Sequence, residues 1–202
     1  MAQYDWHDLM TRYNQAILNS KYRQYLPPDV GARGWLGKAS ATEQQLKDLE
    51  TRLQYPLPPS YRSFLAYSNG WEMTAPYLYR VWSAQDVAWF AVNNQGWIDA
   101  YTDQIAVGEE TDFIAAVDIE QIEQLGMMTG VIPMLRTEHL KTALEVSEIG
   151  DAAIYLLNPL VINAEGEWEA WLFADWLPGA RRYPSFWALM QAEYAGFVAR
   201  QV

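Results

Sequence analysis

The sequence predicts an α+β fold: one domain built on a mainly antiparallel central sheet flanked by helices, with an extra helix at the N-terminus. Three observations predict it. Segments of helical period crowd the first 70 residues, three strand-like runs follow one another between 142 and 176, and one apolar helical segment comes last. Helices grouped before strands, rather than alternating with them, argue against a parallel βαβ architecture.

The first helix is read from Asp5 to Tyr25. Trp6, Leu9, Met10, Tyr13 and Ile17 recur at helical spacing, Asp5 suits the cap, and Pro27-Pro28 stops the run. Pro27 to Gly37, with its prolines and glycines, reads as a loop. It would make the first helix an appendage if it were a linker; the expectation is that Trp6 and Tyr13 pack on the main core. A second helix is predicted from Ser40, where Ser40-Ala41-Thr42-Glu43 has the form of a capping box and Leu46, Leu49 and Leu53 form one stripe. Pro56-Leu57-Pro58-Pro59 ends it. Pro59 suits the first turn of a third helix, which carries Tyr61, Phe64, Leu65 and Tyr67 and stops at Asn69-Gly70.

Beyond Trp71 the pattern turns short and aromatic. Tyr77 to Trp82 suits a strand. Ser83 to Asn93 reads as a short helix with Val87 and Phe90 inward, and Asp118 to Leu125 as another. Thr142 to Glu148, Ala152 to Asn158 and Glu167 to Trp176 read as an antiparallel meander, separated by Gly150-Asp151 and Asn163-Ala164-Glu165-Gly166. In the last run Trp168, Leu172 and Trp176 share one face, while Glu167, Glu169, Trp171 and Phe173 share the other. Apolar residues on both faces predict a central strand covered on both sides. The final helix follows Pro184, with Phe186, Leu189, Met190, Tyr194 and Phe197 inward.

Composition excludes several kinds of chemistry. The 202 residues hold no Cys and two His, so disulfides, thiol nucleophiles and multi-His metal sites are excluded. Twenty-five acidic residues against 14 basic ones give a net charge of −11, which argues against direct grip on nucleic acid. Ala152 to Ala164 is uncharged but too short for a membrane span. The first residues, MAQYDWHDLM, lack the basic and apolar regions of a signal peptide, so a cytoplasmic protein is expected.

Catalytic motifs are not evident. GxSxG, P-loop and GxGxxG patterns are missing, and Gly31-Ala32-Arg33-Gly34 has no strand of the required kind before it. His139, among Arg136, Thr137 and Glu138, reads as an exposed loop or helix-start residue rather than a general base. Two acidic groups stand out: Glu109, Glu110 and Asp112 after Gly108, and the alternating Glu165, Glu167 and Glu169. Solvated surface is their ordinary role. A recognition patch is the functional alternative, and paired-carboxylate hydrolysis is a third. The ten Trp residues mostly fall in apolar patterns. Trp89 and Trp97, flanked by Asn93, Asn94 and Gln95, are the candidates for exposed contacts.

From Ser40 to Trp71 the sequence resembles SMI1/KNR4 domains of the SUKH superfamily. The resemblance is carried by the amphipathic helix with Glu50, Leu57-Pro58, the Tyr-Arg-x-Phe-Leu helix at 61–65 and Asn69-Gly70. Gly150-Asp151, Leu-Leu-Asn-Pro at 156–159, Gly166 to Trp171 and Ser185-Phe186 extend it, so that it covers roughly 35–190 and leaves out the first helix. It implies a non-catalytic domain, without cofactor or metal. Bacterial members are immunity proteins that bind and neutralise toxins, often nucleases; fungal relatives act as interaction modules. Sequence and resemblance together give a cytoplasmic immunity protein whose partner is a basic toxin domain, with Trp89, Trp97, Glu109, Glu110 and Asp112 as contacts. A scaffold or regulatory interaction module is the alternative. Monomer and homodimer stay open.

Overall fold

The computed structural model describes residues 4–104, 135–177 and 179–201. Helix α1, Trp6–Leu18, starts where Asp5 accepts the Asp8 amide at 2.9 Å. It stops at Leu18, earlier than predicted. Ser20 donates to the Ile17 carbonyl and accepts from the Tyr22 amide, and so restarts the chain as a separate 3-10 turn, Lys21–Tyr25. The predicted loop holds α2, Pro28–Arg33. Pro28 stands in its first turn and Gly34, at φ 70°, ends it, so two residues read as loop formers act as start and stop signals.

Helix α3, Glu43–Leu53, is capped by Thr42, two residues after the predicted cap Ser40. Thr42 and Gln45 form the reciprocal box, with Thr42 N to Gln45 Oε1 at 2.8 Å and Gln45 N to Thr42 Oγ1 at 3.2 Å. The Ser40 hydroxyl donates instead to the Tyr67 carbonyl at the end of the next helix. That helix, α4, spans Pro59–Tyr67 as expected.

A hairpin follows, β1 at Trp71–Ala75 and β2 at Leu78–Val81. Sequence reading found only β2. In β1 the register slips between Glu72 and Ala75, and Met73 takes φ 37°. This bulge breaks the alternation that strand reading depends on.

The main sheet is an antiparallel meander in the order β3 (Ala88–Trp89), β4 (Leu144–Glu145), β5 (Ala153–Ile162), β6 (Trp168–Ala174) and β7 (Ala180–Tyr183). Its three middle strands fall in the predicted runs, but β5 is longer, β6 is shorter, and of Thr142 to Glu148 only Leu144–Glu145 is strand, Thr142 closing a helix. The predicted helix at 83–93 divides into β3 and the start of α5, Phe90–Gln104, which bends at Asn94. Val87 and Phe90 are buried as expected. The predicted helix at 118–125 lies outside the described residues. Helix α6, Thr137–Thr142, leads into β4. Helix α7, Phe186–Ala199, is capped by Ser185, which accepts the Ala188 amide at 3.1 Å. No described helix is long and apolar enough to cross a membrane.

All seven residues of β6 are buried. Trp168, Ala170, Leu172 and Ala174 join the larger apolar cluster with residues of α1, α3, α4 and α7. Trp171 and Phe173 join a second cluster with Phe90 and Ile98 of α5 and Leu140 of α6. The predicted two-sided cover is therefore present. Two residues depart from the pattern: Glu167, read on the face of Trp171 and Phe173, turns to Ser60 of α4 on the other side, and Trp176 lies past the strand end, half exposed, with Nε1 donating to the Asp151 carbonyl. Trp6 and Tyr13 are fully within the larger cluster, so α1 packs on the core.

Glu167, just before β6, connects these layers. Its Oε1 accepts the Ser60 amide at 2.7 Å and its Oε2 the Ser60 hydroxyl at 2.6 Å, at the start of α4. Tyr4, just before α1, donates its hydroxyl to the same carboxylate. A buried anion here satisfies an unpaired helix-start amide and faces the positive end of the helix dipole. Replacing Glu167 by Ala is expected to lower stability by about 3 kcal/mol, as for loss of charged hydrogen bonds in a buried site. Exposed Glu165→Ala should change it by less than about 0.5 kcal/mol. Urea midpoints of the two variants at pH 7 measure the difference.

Candidate protein-interaction surface

The buried carboxylates are each committed to neighbours. Glu169, fully buried, pairs with Arg182 of β7 and receives Asn158 Nδ2 at 3.3 Å. Asn158 Nδ2 also lies 3.2 Å from His139 Nδ1. His139 stands near the start of α6, as the helix-start reading had it, but is half-buried rather than exposed, and burial lowers its pKa. Glu145 accepts Asn94 Nδ2 at 2.7 Å and Trp82 Nε1 at 3.3 Å. With Glu167 at α4, the reading of Glu167 and Glu169 as solvated acids is corrected: the apolar layers on both sides of β6 leave no water there, and each carboxylate finds a donor inside the protein. Only Glu165 of that alternating group is exposed.

A second polar cluster lies beneath α7. Tyr155 donates to Glu193 at 2.9 Å and Tyr77 at 3.3 Å. Tyr155 also shares a hydrogen bond with the Thr74 hydroxyl, and Tyr13 donates to the Thr74 carbonyl. Burial raises the Glu193 pKa above its ordinary 4.5, against the lowering effect of its tyrosine donor and of Arg200 and Arg181. Sequence reading missed Glu193, which falls among the inward residues of an otherwise apolar helix face. Its one signal was an acid within that face.

The outer surface carries the predicted contact residues unevenly. Trp89 is half-buried at the β3 edge, its ring edge-on to Tyr55 with centroids 5.7 Å apart. Tyr55 also meets the ring of Trp168 at 5.9 Å and is 43% exposed. Together these rings make a partly exposed aromatic ledge at the end of α3. Trp97 differs. It is half-buried on α5 and turned inward, 5.0 Å from the ring of Phe173 and 5.7 Å from Phe90. Asn94, one of its polar flanks, is held by Glu145. The outward side of α5 presents Val92, Asn93, Gln95 and Asp99. Glu109, Glu110 and Asp112 lie outside the described residues.

Two further features were not read from the sequence. Between Arg80 and Arg136 the chain has no Lys or Arg but nine Asp and Glu, most of its net charge of −11. Counting basic residues along the chain would have shown it. The other is a cleft of about 270 Å³ lined by Tyr25, Leu26, Pro27, Glu72, Met73, Arg80 and Glu148. It lies beside the bulge in β1 and had no sequence signal. Among the described residues, no group of three or more His, Asp or Glu has a metal-site arrangement.

Comparison with known proteins gives one family: the profile of the SMI1 / KNR4 family (SUKH-1) matches residues 40–179. No curated protein matches the chain.

Two expectations follow from these environments. Glu193 binds its proton more tightly in the native than in the unfolded chain. Its contribution to stability is therefore full below about pH 4.5 and is lost as pH rises through the higher native value. Glu193→Gln keeps an acceptor for the tyrosines and should flatten the fall in urea midpoint above pH 4.5 relative to wild type. Separately, Trp97→Ala should cost about 3 kcal/mol as a packed aromatic, and Trp89→Ala about 1 kcal/mol as a partly exposed ring. Thermal melts of both variants check the order.

Proposed function

Because the chain belongs to the SMI1 / KNR4 family (SUKH-1), we propose that it is a cytoplasmic immunity protein, one domain that binds and neutralises a cognate toxin domain. Immunity to toxins is a known role of this family. The observation that carries the proposal to this chain is the charge distribution along the sequence: acids without a single Lys or Arg from 81 to 135, a stretch that also supplies Trp89 of the aromatic ledge. A nuclease toxin needs basic residues to hold phosphates. An acidic stretch on its inhibitor accelerates their encounter and disfavours wrong partners.

Glu109, Glu110 and Asp112 are the proposed steering residues, and Trp89 is the proposed anchor. Trp97 supports the surface from within. Inhibition needs no chemistry by this chain. The commitment of Glu145, Glu167, Glu169 and Glu193 to internal partners supports binding rather than carboxylate hydrolysis.

The test is co-expression with the toxic domain encoded beside this gene. Restored growth and a co-purified complex support the proposal; a toxic domain that stays lethal and a chain that purifies alone favour the interaction-module reading. In the complex, replacing Glu109, Glu110 and Asp112 by Gln, Gln and Asn should slow association about tenfold at low salt and leave dissociation nearly unchanged. Stopped-flow rates at rising ionic strength should converge for the two proteins as screening removes the steering.

A further inference from the structure

The geometry points to the cleft beside the β1–β2 hairpin as a receptor for one arginine side chain of a protein partner. The cleft holds about 270 Å³. Sites for whole small molecules run from about 300 to 1,000 Å³, so a volume below that range suits a single long side chain.

Its walls match a guanidinium in particular. Glu72 and Glu148 both face Arg80, whose Nε lies 3.7 Å from Glu72 and 3.3 Å from Glu148. One cation thus serves two carboxylates. The Glu72 side chain is only 12% exposed. Burial raises its pKa, against the lowering effect of Arg80, Lys38 and Arg33. With the Arg80 Nε shared between two carboxylates, an entering guanidinium finds acceptor oxygens left over. Leu26, Pro27 and Met73 give an apolar lining for a methylene stem. Tyr25, 62% exposed, stands at the wall with a ring available to a planar cation. Guanidinium combines ring stacking with two-point contact to carboxylates, and ammonium does not. Two carboxylates on the walls disfavour an anion. Arg80 between the two acids disfavours a metal ion, which needs several oxygen ligands converging on one point.

The backbone supports the same reading. Glu72 and Met73 are consecutive, and in a regular strand their side chains point to opposite faces. Both line this cleft. The register slips beside them and Met73 takes a φ of 37°. A left-handed conformation at a non-glycine residue carries strain, and such strain is concentrated at binding sites.

This inference rests on the proposed function only for the identity of the protein that bears the arginine. The test uses the full chain, labelled with ¹⁵N, titrated with the peptide acetyl-Gly-Arg-Gly-amide and with its citrulline counterpart, which keeps the shape and loses the charge. Saturable shifts confined to the amides of 25, 26, 72, 73, 80 and 148 are expected with the arginine peptide alone. Glu72→Gln and Glu148→Gln should each weaken binding about threefold to fivefold, as for loss of a partly exposed ion pair. Glu148 is a third exposed, so its variant stays informative if Glu72→Gln disturbs the hairpin. Equal shifts with citrulline, shifts spread over the acidic surface, or indifference to both substitutions would overturn the assignment. A toxin complex formed equally well by the doubly substituted chain overturns the pocket and leaves immunity standing. A chain that binds the peptide but neutralises no toxin has the opposite meaning.

Discussion

Strand β6 is walled on both faces by apolar side chains, and this burial constrains most of the surrounding arrangement. A strand can satisfy its backbone through β5 and β7, but its side chains must match two cores at once. Trp171 and Phe173 fill one and Trp168 and Leu172 the other. Burial of each such side chain contributes roughly 1.5–3 kcal/mol. The larger cluster requires α1, α3, α4 and α7 as cover, and the smaller one requires α5 and α6.

The same burial explains why so many acids are inside an acidic protein. Glu167 and Glu169 flank or occupy a strand with no route to water, and an uncompensated charge there costs several kcal/mol. Glu169 takes Arg182, and Glu167 takes the start of α4 together with Tyr4. Glu193 and Glu145 follow the same rule with neutral donors. The polar groups of the interior thereby fix how helices and strands meet, beyond what apolar packing specifies. They leave the interior with little freedom for chemistry and shift the functional question to the surface.

Under the proposed function two kinds of feature matter. The acids of the long stretch without basic residues would act at a distance, through a field that salt screens within about 10 Å. The aromatic ledge and the hairpin cleft would act on contact, through area and shape. A protein that must find one partner quickly and hold it benefits from both, since steering raises the association rate and packed anchors slow dissociation.

The sequence alone determined the fold class, the meander, the two-sided burial of β6 and the family. Each depends on local periodicity, turn chemistry or short motifs that survive without knowledge of distant contacts. It misjudged boundaries where two competent caps stand side by side, as at Ser40 and Thr42, because the choice is made by Tyr67, a residue at the end of another helix. It read Trp97 as a surface residue because its neighbours are polar, whereas one side of α5 lies on Phe173. Only the tertiary structure decided which acids are buried, and only it made the cleft. A carboxylate's role depends on the donor it meets. For Glu167 that donor is Ser60, and for Glu148 of the cleft it is Arg80. Such pairings join residues far apart in the chain, where the periodicity of a sequence carries no information.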